Sequence, residues 1–174
     1  MRYKDITTEN QYGWKGVLGA AEDMLEYLDD KAAEITGVSN WKRDGTPTLT
    51  LFDRKAQSMR MWTRGDGSKY KEPGHFTIAQ DKWDYLTQNK KNAAAIKKVF
   101  KTKEQAMEWA WDQITQLPKA KEIGDVSDVF GSSEFAPAVS IGPYIFIKRG
   151  TWGIQYATKG ILRNSAIWRQ QQKQ

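Results

Sequence analysis

The sequence predicts an α+β fold, with twisted antiparallel β-sheets in two strand blocks packed with three helices. Three observations carry that expectation. Between positions 16 and 35, apolar side chains recur at alternating three- and four-residue steps, the period of a helix buried along one stripe. Over about 38–80, and again over about 138–169, short stretches alternate between two faces and are broken by Asp-Gly, Pro-Gly and Gly-Thr pairs. Between these blocks, residues 82–117 return to a helical period. The 174 residues suit one domain over 1–174, long enough to bury a real core.

The elements follow in order. Residues 1–15 are a polar lead-in with Tyr3, Tyr12 and Trp14. An acidic amphipathic helix is predicted over 16–36, with Leu18, Ala21, Leu25, Leu28, Ala32 and Ile35 as its apolar stripe and Gly37 as a natural C-cap. In the first strand block, residues 48–53 put Leu49 and Leu51 on one face and Thr48, Thr50 and Phe52 on the other. Residues 58–64 put Met59, Met61 and Thr63 opposite Arg60, Trp62 and Arg64. A further short strand, His75 to Ile78, follows Pro73-Gly74. Asp81 is a candidate N-cap for a lysine-rich helix over 82–99. Thr102 with Gln105 forms a capping-box signature for a helix that Pro118 stops. Residues 118–137 read as a connecting loop with a short helical turn. The second block holds a hairpin around Gly150-Thr151, with Tyr144, Phe146 and Lys148 on one face of its first strand and Trp152, Ile154 and Tyr156 on one face of its second. A last strand is expected over 161–169 and a frayed polar tail over 170–174.

Composition narrows the function. The hydrophobic share is 39% and the charged share 28%, the balance of a folded soluble chain. Apolar runs are too short to span a bilayer, and the opening MRYKDITTEN lacks an apolar signal core, so a cytoplasmic location is expected. There is no cysteine, which excludes disulfides and thiolate metal sites. The one histidine, His75, argues against a multi-histidine zinc site or a Ser-His-Asp triad, and no cofactor is expected. Net charge is +6, but residues 16–37 carry six acids against Lys31, so the rest carries +11. A basic surface facing away from an acidic helix favours an anionic partner.

Aromatic and cationic side chains recur together on strands and turns. They meet at Trp41/Arg43, Arg60/Trp62/Arg64, Lys69/Tyr70/Lys71, Tyr144/Phe146/Lys148, Arg149/Trp152 and Trp168/Arg169. Guanidinium and ammonium groups hold phosphates while flat rings stack on bases, so the combination suits single-stranded nucleic acid, RNA or DNA. The candidate contacts are Trp41, Arg43, Arg60, Trp62, Arg64, Tyr144, Phe146, Lys148, Arg149 and Trp152. Two other readings compete. Exposed tryptophan and arginine also anchor protein interfaces, as in an inhibitor or assembly protein of phage type. Asp44 with Asp53 and Lys55 loosely follows the carboxylate-carboxylate-lysine pattern of Mg²⁺-dependent nucleases. No phosphate-gripping glycine-rich loop occurs.

The order of four strands then a helix, followed by a second strand set over about residues 40–170, resembles the architecture of PUR and Whirly single-stranded nucleic-acid binders. That resemblance implies binding of single-stranded DNA or RNA across a sheet face, with homo-oligomerisation; the function expected for this chain is non-catalytic binding.

Overall fold

The computed structural model describes residues 16–38, 43, 45, 49–56, 74–88 and 92–173. The fold is α+β, and the described residues build one antiparallel six-stranded sheet. Helix α1 (Gly16–Thr36) leads to strands β1 (Asp53–Ala56) and β2 (Gly74–Thr77), then α2 (Gln80–Gln88), α3 (Ala93–Val99) and α4 (Lys103–Thr115). Strand β3 (Lys121–Asp125), a 3₁₀ turn (Ser127–Phe130), β4 (Pro137–Ile141), β5 (Tyr144–Arg149), β6 (Gly153–Thr158), a second 3₁₀ turn (Lys159–Asn164) and α5 (Ala166–Gln172) complete it. The strand order is β1-β2-β6-β5-β4-β3. The two strand blocks are thus halves of one sheet, joined where β2 pairs with β6.

Register assigns the faces. Gly74, Tyr156, Phe146, Val139 and Glu122 form one row across β2, β6, β5, β4 and β3. Its middle members belong to the larger core, with Met24 and Leu28 of α1, Ile96 of α3, and Met107, Ala110, Trp111 and Ile114 of α4. The opposite face carries the row Lys55, His75, Gln155, Ile147 and Ala138. Among the described residues, a core roofs the Ile147 end of this row alone, a smaller cluster of Ile123, Val126, Ile145, Ile161 and Leu162 flanked by Phe130 and Trp168. One face is therefore apolar throughout its middle, and the other changes from apolar to polar halfway across.

Gly74 is where β1 and Tyr156 close most tightly: a Cβ there would lie 2.5 Å from the Lys55 carbonyl oxygen and against the Tyr156 hydroxyl. Only hydrogen fits.

Several expectations are corrected. The buried side of α1 is wider than the predicted stripe and rotated from it, taking in Val17, Ala20, Met24 and Tyr27 and leaving Ile35 exposed. Two of its acids turn inward: Asp30 is 1% exposed, and Asp29 accepts the N–H groups of Leu51 (3.0 Å) and Phe52 (3.2 Å). Those two amides go to a side chain, so the described part of the predicted strand over 48–53, residues 49–53, joins the sheet only from Asp53, although Leu49, Leu51 and Phe52 are all buried. The predicted strand over 58–64 lies outside the described residues. The lysine-rich helix is two helices, because Asn92 (φ −97°, ψ 7°) stands outside helical geometry before α3. Asp81 sits within the first turn of α2 rather than capping it. The Thr102 cap forms as predicted, its side chain accepting from Gln105 N–H at 3.1 Å.

The 118–137 stretch contributes β3, an edge strand hidden from periodicity by a bulge between Glu122 and Gly124. The predicted strand over 161–169 is helical. Ser165 caps α5 by accepting from Trp168 N–H, and Asp128 accepts from Ala166 N–H at 2.9 Å. The tail is tied down in part, since Gln171 Nε2 donates to the Ile123 carbonyl of β3 at 2.8 Å. Among the described residues, no helix is long and apolar enough to cross a membrane.

Candidate nucleic-acid interface

The polar half of the second sheet face gathers side chains from four places in the chain. Lys55 of β1 stands opposite His75 of β2, and His75 opposite Gln155 of β6. Arg149, at the end of β5, projects to the same face two residues beyond Ile147. Its guanidinium donates to Gln155 Oε1 at 2.6 Å and lies 4.0 Å from the centre of the Phe130 ring, which the first 3₁₀ turn supplies. The Trp152 ring is 5.9 Å from the same guanidinium and meets the His75 ring edge-on at 5.2 Å.

Local geometry explains the position of Trp152. The β5–β6 turn places Gly150 at φ +53°, and Trp152 N–H closes the turn on the Arg149 carbonyl. The strand begins only at Gly153, where a Cβ would lie 2.7 Å from the Phe76 carbonyl oxygen. The indole is therefore free of the alternation that puts Ile154 and Tyr156 in the core, and it is 45% exposed. The Thr77 hydroxyl donates to its carbonyl at 2.8 Å and holds the turn to β2.

The electrostatics are those of a fixed cation in a partly dry place. Burial pulls the Arg149 pKa down, and the nearby Glu134 carboxylate opposes that shift. Arginine stays charged under such conditions. Burial also lowers the His75 pKa, helped by the Lys55 charge, which favours the neutral ring. His75 Nδ1 is buried without a hydrogen-bond partner among the described residues. A flat, exposed indole beside an oriented guanidinium, with an ammonium across the sheet, offers one stacking surface and two phosphate contacts.

The predicted contacts fare unequally. Arg149 and Trp152 meet. Tyr144 and Phe146 do not join them: they face the larger core, and Phe146 is 0% exposed, so neither ring is available to a base. Lys148 is on that helix-covered face too, with its ammonium 2.8 Å from both Glu108 Oε1 and the Gly150 carbonyl oxygen. It ties α4 to the hairpin. Arg43 is exposed in a turn. Trp41, Arg60, Trp62 and Arg64 lie outside the described residues, as does Asp44 of the nuclease pattern. Asp53 of that pattern is in an ion pair with Lys82, and no group of three His, Asp or Glu side chains among the described residues is arranged to hold a metal ion.

Phe130, His75 and Gln155 were not among the sequence candidates. Phe130 sits in the loop, and Gln155 is a polar residue inside an otherwise apolar strand. A buried polar position in a strand signals a partner on the same face. No protein-family model, curated protein or solved structure matches the chain.

Proposed function

We propose that the protein is a non-catalytic, cytoplasmic binder of single-stranded nucleic acid, RNA or DNA, using the polar half of its second sheet face. Arg149 and Lys55 contact phosphates, and Trp152 stacks on a base. The observation that carries this reading is the Arg149 guanidinium, pinned by Gln155 and stacked on Phe130 beside an indole that is 45% exposed. Holding the guanidinium in advance reduces the side-chain entropy lost on binding. The acidic outer residues of α1, among them Glu22 and Glu26, belong to the helix layer on the other face of the sheet, so they repel the ligand least where it docks. The architectural resemblance to PUR and Whirly proteins points the same way and adds self-association.

A specific observation favours a second reading. Phe135, next to Glu134, is 65% exposed, and an aromatic ring so open suits a protein partner. Tryptophan fluorescence titration with single-stranded RNA, single-stranded DNA and duplex, repeated at several salt concentrations, separates the two. Quenching by single strands that weakens log-linearly with salt supports the nucleic-acid reading. Absence of quenching and of any mobility shift at low salt rejects it.

A further inference from the structure

On the helix-covered side of the sheet, a crevice of about 410 Å³ opens where α4 leaves the β3 edge. Trp111 and Thr115 of α4 form one wall, and Ala120, Glu122, Pro137 and Val139 form the other. Register explains the position of the carboxylate. Glu122 pairs with Val139, a member of the larger core, so it faces the helices, yet β3 is the last strand and leaves it exposed at the margin. Among the described residues, Glu122 is the one charged member of the lining, in a chain of net charge +6. Its side chain makes no ion pair or hydrogen bond among the described residues. The Thr115 hydroxyl donates to the Asp112 carbonyl at 2.9 Å, which leaves its lone pairs toward other donors. The Glu122 carboxylate and the Thr115 lone pairs are thus acceptors, the Trp111 indole N–H is the one further side-chain donor among the described lining residues, and the rest of the lining is small and apolar.

We propose that this crevice binds a small organic cation, an ammonium carried on an apolar group. The ammonium donates to Glu122 and Thr115 Oγ1, and the apolar part packs on Trp111, Pro137 and Val139. A carboxylate supplies charge and hydrogen bonds while the indole face favours a cation over a neutral group. The volume falls in the lower part of the range of small-molecule sites, roughly 300–1,000 Å³. This site is independent of the nucleic-acid reading: it lies at the opposite edge of the sheet from β1 and on the other face.

The test is a two-dimensional amide NMR titration with phenethylammonium, alongside the neutral isostere 2-phenylethanol and the anion 3-phenylpropionate. Saturable shifts at Glu122, Ala138, Val139 and the Trp111 indole are expected for the ammonium, with both isosteres weaker by about tenfold or more, the scale of one charged hydrogen bond. Glu122→Gln, a surface change that keeps the fold, is expected to lower ammonium affinity by about the same factor. Equal binding of ammonium and alcohol, unchanged affinity in Glu122→Gln, or no saturable shift at these positions overturns the proposal.

Discussion

Asp29 gives the sharpest stability prediction. Its carboxylate is drawn into the seam between α1 and the segment entering β1, where burial raises its pKa from 3.8 to about 7. The hydrogen bonds from Leu51 and Phe52 and the charge of Lys82 resist that rise, while Asp30 adds to it. A raised folded pKa means that ionisation is harder in the folded state. The contribution of Asp29 is therefore most favourable below pH 3.8 and is lost as pH climbs toward about 7. At about 1.4 kcal/mol per pK unit, the shift amounts to at most about 4 kcal/mol, and partial exposure reduces it to about half. Asp29→Asn retains an acceptor for both amides and removes the charge. Urea unfolding should show the variant about 2 kcal/mol more stable than the parent near pH 8 and close to equal near pH 4. A variant that is less stable than the parent, by an amount independent of pH, refutes the reasoning. It would mean that the charge-assisted hydrogen bonds outweigh desolvation.

Three further outcomes follow from the same geometry. Gly74→Ala forces a methyl group against the Lys55 carbonyl and the Tyr156 hydroxyl, and should lower stability by about 1–3 kcal/mol in denaturant melts. Asp125 accepts the N–H groups of Ser127 and Ala136, which hold its pKa below 3.8. Its stabilisation is present above pH 3.8 and lost as pH falls through the lower folded value, so the gap between parent and Asp125→Asn should close in acid titrations monitored by circular dichroism. Trp152→Ala should weaken single-strand binding by about 1–3 kcal/mol, roughly 5- to 150-fold, with little change in melting temperature.

The parts of the fold legible in the sequence are those whose signal is local. The α1 period, the Thr102 cap, the β5–β6 turn at Gly150 and the α+β class all depend on residues a few positions apart. The misreadings arise where a distant partner decides. Nothing near Leu51 and Phe52 shows that Asp29, 22 and 23 positions earlier, takes their amides. The alternation from Ile161 to Arg169 is real, but Ser165 and Asp128 satisfy the N–H groups that open a helix there. Which face of β5 meets the larger core is equally nonlocal. Alternation correctly grouped Tyr144, Phe146 and Lys148, while the register against β4 and β6 shows that this face lies beneath the helices. Arg149 and Trp152, which meet on one face, both sit at a strand end, where the turn sets their direction.

The central claim, that Arg149 holds a phosphate of a single strand, is tested most directly by the salt dependence of affinity. Log affinity is measured against log salt for the parent and for Arg149→Gln, which removes the charge at a side chain already pinned beside Gln155. One phosphate contact fewer should make the slope shallower by about 0.7, with weaker binding at every salt concentration. Identical slopes and affinities for the two proteins would contradict the account.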